Sequence, residues 1–371
     1  MIQLPKNLSV GLVGPLPPPS GGMANQTHQL ARLLRIDGVG VEIIQTNLPY
    51  RPIWIGKIKG GRAVFRLIPY LFALWTVAGR VDLLHIMANS GWSWHLFVSP
   101  AVWIARLRGK PVIINYRGGG ADVFFEQSFW WVRKTINAAQ TIVVPSGFLQ
   151  QVFKKWKVPT RIIPNIIDFS RFSSQSQDKK LSYKDGHSAH IIVTRNLEKI
   201  YDIATAIRAY RLVQQKLPSA KLTVAGSGPQ QVELEALVTS LDLGKKVTFT
   251  GRLDNDHMAK LYHSADVMVN PSTVDNMPNS VLEALACGVP VVSTDVGGIP
   301  YILENGKTAI FFPVGDDKKL AESLMGLLTD DVFAQRLSAA GHESVQQYAW
   351  PQVKLAWLKI YQECIENRKS E

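Results

Sequence analysis

Short runs of apolar, mostly β-branched residues recur along this chain, each followed by a longer amphipathic stretch. That alternation is the pattern of βαβ units feeding a parallel sheet. In the first half the pattern predicts strands at Ser9–Val13, Val41–Gln45, Leu83–Met87, Pro111–Asn115 and Thr141–Pro145, with helices starting near Met23, Ile68, Ser93 and Trp130. In the second half it predicts strands at His190–Thr194, Lys221–Ala225, Lys246–Thr250, Val267–Asn270 and Val289–Ser293. Helices are expected there at Tyr201–Gln215, Gln230–Ser240, Asp256–Ser264, Ser280–Ala286 and Asp317–Leu328. The expectation is therefore an α/β protein of two Rossmann-like halves.

A chain of 371 residues has room for two such domains. The join falls in a polar stretch between Pro164 and Lys184, which holds Ser170, Ser173, Ser174, Ser176 and Asp178-Lys179-Lys180. We take residues 1–168 as the first domain and 169–350 as the second. The last stretch carries Val353, Leu355, Trp357, Ile360, Tyr361 and Ile365 on one helical face with nothing after it to pack on. A helix over 351–371 crossing back to the first domain is the expected answer. Two cysteines, Cys287 and Cys364, make no disulfide framework and no CxxC metal motif. A reducing compartment is the simpler assumption.

Charge is uneven. Residues 1–165 carry 19 Lys/Arg against 5 Asp/Glu, and residues 166–371 carry 22 against 24. The first half is thus expected to face something anionic: phosphates, nucleic acid or a membrane surface. No motif for reading nucleic acid accompanies the charge. Leu67–Gly79 is uncharged over 13 residues, where about 20 are needed to span a bilayer. The apolar run near the N-terminus is too short for a signal peptide. A cytoplasmic protein, peripheral at the inner face of the membrane, is expected.

Chemistry concentrates in the segment Pro271–Val292. A strand ends at Asn270, a loop follows, and a helix begins near Ser280, with Ser280 or Asn279 as its cap. Such a helix start offers free N–H groups and a positive dipole end to a phosphate. Asp275 lies in the loop and Glu283 eight positions on, in the helix, so together they can contact two ends of one nucleotide-sugar. Arg195 and Lys199 sit four apart in a loop after a strand, where two cations can neutralise a diphosphate leaving group. Near the N-terminus, Gly14–Met23 is a proline-stiffened loop whose Gly21 and Gly22 permit close approach to a phosphate. Its spacing is not GxGxxG, which excludes the dinucleotide fingerprint. Arg117 follows a strand in INYRGGGADVFF; it stays protonated and suits an anion, and Asp122 is a candidate for the same cleft. Among His28, His85 and His95, all readable as structural, His85 at a strand end is the best placed for the cleft. Gly226-Ser227-Gly228-Pro229 is by itself a common turn.

The segment from Asp275 to Glu283 resembles the acidic-x7-acidic signature of glycosyltransferase family 4, although the family usually begins with Glu where this chain has Asp275. LEALACGVPVVSTDVGGIPYIL is similar to the family's continuation. IIVTRNLEKIYDIATAI, LTVAGSGPQ, VTFTGRLDNDHMAKLYHSADVMVNPS, VPSGFLQQVF and IPNIIDFSRF resemble further family segments, in order, over residues 141–315. The resemblance implies a GT-B fold, two Rossmann-like domains facing a cleft, with the acceptor on the first and a nucleotide-sugar donor on the second. It implies Glu283 on the donor ribose, Asp275 on the transferred sugar, and backbone N–H groups of Asn279, Ser280 and Val281 on the diphosphate beside Arg195 and Lys199. Gly21 and Gly22 are implied near donor phosphates and acceptor, Gly226 and Gly228 beside base or ribose, and Arg252 at the base pocket. Arg117 stands where family members often have His. Retention at the anomeric carbon, no metal and no cofactor beyond the donor are also implied.

Residues 51–80 interleave Arg51, Lys57, Lys59, Arg62, Arg66 and Arg80 with Trp54, Phe65, Tyr70, Phe72 and Trp75. A second cluster holds Phe124, Phe125, Phe129, Trp130, Trp131, Arg133 and Lys134. Cations among exposed aromatics suit an anionic membrane surface and a lipid-linked acceptor, as in polysaccharide or glycan assembly. A sugar-nucleotide epimerase on the same fold and a non-catalytic membrane-surface protein are the competing readings.

Overall fold

The computed structural model describes residues 8–18, 21–49, 62–174 and 188–370. The chain divides into two compact units, residues 1–166 with 350–371, and residues 167–349. The segment from Arg51 to Lys59 and the linker cluster Asp178-Lys179-Lys180 lie outside the described residues.

The first unit runs β1 (Ser9–Gly14), α1 (Gly22–Ile36), β2 (Gly40–Gln45), α2 (Arg62–Arg80), β3 (Leu83–Ala88), α3 (Ser99–Leu107), β4 (Val112–Tyr116), α4 (Ala121–Ala138), β5 (Thr141–Val144), α5 (Gly147–Lys155) and β6 (Arg161–Ile162). All neighbours are parallel, in the order β2-β1-β3-β4-β5-β6. The central strands are buried on both faces, which is why they read as continuous apolar runs. Val13, Ile86, Ile114 and Val144 point into a core shared with α2, α3, α4 and α5, while Leu12, Ile113 and Val143 point the other way, toward α1.

The second unit repeats the plan. It runs β7 (His190–Val193), α6 (Ile203–Lys216), β8 (Lys221–Ala225), α7 (Gln231–Ser240), β9 (Val247–Gly251), α8 (Asn255–Ser264), β10 (Val267–Asn270), α9 (Asn279–Ala286), β11 (Val291–Thr294), β12 (Ile310–Phe312), α10 (Asp317–Thr329) and α11 (Asp331–Ser344). The parallel order is β12-β11-β10-β7-β8-β9. Connections run outward from β7 in one direction and then, from β10, in the other. The gap between the carboxyl ends of β7 and β10 is therefore a topological switch point, the place where open α/β sheets hold ligands. Aspartates cap most of the helices: Asp202, Asp254, Asp316 and Asp330 each accept from a backbone N–H in the first turn of α6, α8, α10 and α11.

The last helix, α12 (Trp350–Ser370), belongs to the first unit. Trp357 and Tyr361 are fully buried in the core that α1 also covers, Trp350 Nε1 donates to Asp37 (2.6 Å), and Lys354 pairs with the same carboxylate (3.0 Å). Leu355, expected on the buried face, is exposed instead.

Four elements were absent from the sequence-based expectation: α5, α11, β6 and β12. Two helices start earlier than expected. α4 begins at Ala121 rather than near Trp130, because Phe124 and Phe125 turn inward and nucleate its core face. α2 begins at Arg62 rather than near Ile68. Tyr70, Phe124 and Phe125 are accordingly core and not surface aromatics, and the Tyr70 hydroxyl donates to the Phe97 carbonyl (2.6 Å).

Truncating Trp357 opens a large void against His85, whose ring lies 4.5 Å from the indole. Trp357→Ala should lower the stability of the first unit by about 3–5 kcal/mol. Urea unfolding should show an earlier transition for that unit, with the second unit's transition unmoved.

Candidate active site

Arg195 follows β7 directly, at the switch point of the second unit. Its Nη2 donates to Oδ2 of Asp275 (2.8 Å) and its Nη1 to the Ser280 hydroxyl (3.2 Å). The guanidinium also lies over the Tyr201 ring, 4.1 Å from its centroid. Both members of the ion pair are about nine-tenths buried. A charge that deep needs a counter-charge, and Asp275 supplies it. Oδ1 of Asp275 accepts from the Asn276 N–H (3.1 Å), so the carboxylate is turned into the protein in this state. The Nε of Arg195 is buried and has no hydrogen-bond partner among the described residues.

Helix α9 begins at Asn279. Its cap residue is Pro278, and no side chain caps it. The expected capping by Ser280 or Asn279 is therefore corrected: Ser280 instead accepts from Arg195. The start of α9 thus sets a positive helix end beside the guanidinium. Glu283 lies one turn further along α9. Burial pushes its carboxyl up to about 8, offset by the Tyr262 hydroxyl and reinforced by the charge of Asp168. Tyr262, on α8, ties the site together. Its hydroxyl lies 3.3 Å from Glu283 Oε2, 3.1 Å from the Ser280 carbonyl and 3.1 Å from Thr194 Oγ1 at the end of β7. Sequence reading missed Tyr262, because it occupies an ordinary apolar position of an amphipathic helix. Lys199 is exposed in a single helical turn, Lys199–Tyr201, whose Ile200 carbonyl accepts from Thr273 (2.8 Å). That bond seats the Lys199 turn on the loop that carries Asp275.

Four glycines explain how these loops come so close. A Cβ on Gly226 would lie 2.0 Å from the Arg195 carbonyl oxygen, and one on Gly228 2.3 Å from that of Leu197. Both residues thus serve loop-to-loop packing on the side where a side chain would be. Gly297 and Gly298 do the same against the carbonyls of Asp275 and Asn276, at 2.0 and 1.8 Å. Arg252 is exposed and donates from Nε to the Ser227 hydroxyl (2.7 Å).

In the first unit, Arg117 leaves β4 and is held by amides. Its Nε donates to Asn115 Oδ1 (2.9 Å) and its Nη1 to Asn165 Oδ1. Among the described residues no carboxylate pairs with it. Burial lowers its pKa to about 9. The Asn115 amide donates onward to His85 Nε2 (2.9 Å), and His85 Nδ1 meets the Tyr361 hydroxyl (2.8 Å). His85 is fully buried beneath α12 and lowered to about 3 by burial and by Arg117. It is a neutral core histidine, which corrects its expected place at the cleft. His28 and His95 are exposed, and Asp122 pairs with Lys155 (2.9 Å) on the surface. Gly21 is the cap residue of α1, with open space where a Cβ would be, and Gly22 opens that helix. Among the described residues no three His, Cys, Asp or Glu side chains converge to hold a metal ion.

Two parallel six-stranded sheets, each with helices on both faces, are the architecture of the GT-B fold. The model of the group 1 glycosyl transferases matches residues 174–344, and that of glycosyltransferase family 4 matches residues 20–171. The chain belongs to this family of group 1 glycosyltransferases. It is 28% identical over 379 residues to N-acetyl-alpha-D-glucosaminyl L-malate synthase of Bacillus anthracis, covering 95% of this chain and 97% of that one. It is 23% identical to phosphatidyl-myo-inositol mannosyltransferase of Mycobacterium leprae, covering 92% and 93%. Sucrose-phosphate synthase from Thermosynechococcus elongatus shares the fold with a TM-score of 0.75 at 20% identity, over 97% of this chain and 100% of that one. Anabaena HepE, solved with UDP, does so with a TM-score of 0.72 at 17% identity, over 96% and 100%.

The raised carboxyl of Glu283 makes a testable statement about stability. The native protein keeps that proton up to about pH 8, whereas an ordinary glutamate loses it near 4.5. Between those values folding takes up a proton, so stability drains away as pH rises and the loss is complete above about pH 8. Glu283→Gln removes the ionisation. Its melting temperature should exceed the parent's above about pH 8 by roughly 2–4 °C for each kcal/mol relieved, and the two should converge near about pH 5.

Proposed function

We propose that this glycosyltransferase moves a sugar from a nucleotide-diphosphate sugar to a hydroxyl acceptor, with net retention at the anomeric carbon and without a metal ion. One observation carries the reading: Arg195 bonds to Ser280 at the start of α9, and Glu283 on the same helix is tied through Tyr262 to the end of β7. A cation, a helix start and a carboxyl therefore meet at the switch point between β7 and β10.

In this reading the diphosphate takes the N–H groups of Asn279, Ser280 and Val281, with Arg195 and Lys199 neutralising its charge. As the bond from the anomeric carbon to the β-phosphate oxygen breaks, negative charge grows on that oxygen, and the two cations stabilise it. The acceptor oxygen forms its new bond from the face the phosphate leaves, and its proton passes to the departing phosphate. Glu283 accepts the ribose hydroxyls. The unpaired Nε of Arg195 fits a guanidinium that reorients when an anion arrives. That movement would free Asp275 to meet the hydroxyls of the transferred sugar. In the same reading Gly226, Gly228 and Arg252 border the base and ribose. Arg117, a half-buried cation held by two amides, suits an anionic group on the acceptor or donor. The acceptor in this reading is carried on a lipid, in polysaccharide or glycan assembly at the inner face of the cell membrane.

A thermal-shift series with UDP-, GDP- and ADP-sugars should identify one donor class that raises the melting temperature. With that donor, Glu283→Ala and Arg195→Ala should each lower turnover by about 10²–10³-fold, while the circular dichroism spectrum is unchanged. Normal turnover in the Glu283 variant would remove the site assignment.

A further inference from the structure

The first unit carries an exposed apolar face that its core does not need. Helices α2, α3 and α4 lie side by side over one face of the sheet, their inner residues in one shared core. On the outside of α2, Phe65, Ile68, Phe72 and Trp75 recur three or four residues apart and are all exposed, Phe72 by 74%. Trp103 and Leu107 continue the face on α3, one turn apart. Trp130 and Trp131 add to it on α4, at 75% and 71% exposure. Isolated surface apolar residues need no explanation, but a run of six aromatics across three adjacent helices does. No helix among the described residues is long and apolar enough to cross a membrane, so this face is not a spanning segment.

The charge on the same helices decides what covers it. α2, α3 and α4 hold six Lys/Arg and two Asp/Glu, and both carboxylates are on α4. One of the two, Asp122, is already paired with Lys155. Arg106, Arg133 and Lys134 are exposed beside the aromatics, and Arg108 stacks on Trp75 at 4.6 Å. A second copy docked face to face would set this excess of cations against itself. An anionic bilayer surface complements both features: tryptophan rings settle at the headgroup level, and Lys/Arg pair with lipid phosphates.

We infer that the outer face of α2, α3 and α4 is the surface by which this protein lies on an anionic membrane, with Trp130, Trp131 and Phe72 entering the headgroup layer. The inference deepens the reading of a lipid-borne acceptor and rests on it for its purpose, though not for its physics. α4 starts four residues after Arg117, and Trp130 and Trp131 follow further along the same helix.

The test is co-sedimentation of the full chain with vesicles of phosphatidylcholine containing about one third phosphatidylglycerol. Binding should be strong at about 0.01 M salt and fall at least tenfold toward about 1 M. Vesicles of phosphatidylcholine alone should bind far less. Trp130→Ser with Trp131→Ser, and separately Arg133→Glu with Lys134→Glu, should each weaken binding about tenfold or more. Both variants should keep the parent's thermal shift with the stabilising nucleotide, which reports the donor site independently of the membrane. Undiminished vesicle binding by both variants, or no binding at low salt, would overturn the inference. So would light scattering that shows a dimer dissociated by the tryptophan changes. Lost nucleotide response with vesicle binding intact would instead count against the donor reading alone.

Discussion

A guanidinium buried at the end of β7 has to be paired, and that requirement organises the second unit. Arg195 draws Asp275 from the loop after β10, Ser280 from the start of α9 and Tyr201 from the turn after Lys199. For those three segments to converge, the backbones behind them must nearly touch. Gly226 and Gly228 admit the carbonyls of Arg195 and Leu197, and Gly297 and Gly298 admit those of Asp275 and Asn276. Any side chain at these four places would push the loops apart and strand the charge. The glycines therefore belong to the electrostatics as much as to the turns.

Both units are parallel six-stranded sheets, of different strand order and with different polar hearts. In the second, charge is compensated by charge. In the first, Arg117 rests on two amides, and the chain of contacts runs on through Asn115 and His85 to Tyr361 on α12. The C-terminal helix thus closes a polar network that begins at a strand end, and its tryptophan covers the neutral histidine.

Much of this was legible in the residues. Buried parallel strands are apolar runs bounded by Gly, Pro and charged residues, so β1, β3, β8 and β10 fall within a residue or two of expectation. Short edge strands such as β6 and β12 have too few residues for any periodicity. α11 was overlooked although Asp330 caps it, because its alanines and polar residues blur the apolar stripe. The start of α4 was obscured by Gly118-Gly119-Gly120, which reads as loop, and by aromatics that resemble surface residues until the fold turns Phe124 and Phe125 inward. Spacing and family resemblance singled out Arg195, Asp275 and Glu283. Their pairing was not readable: that Asp275 faces Arg195, that Pro278 caps α9, and that Tyr262 bridges Glu283 to β7 all depend on contacts between segments distant in sequence.

The most direct measurement is a crystal structure of the protein soaked with uridine diphosphate, the nucleotide held by the HepE structure of the same fold. Phosphate oxygens should lie within hydrogen-bond reach of the Arg195 guanidinium and the first N–H groups of α9, with the ribose hydroxyls on Glu283. Nucleotide density away from the β7 and β10 ends, with the Arg195–Asp275 pair undisturbed, would contradict this placement.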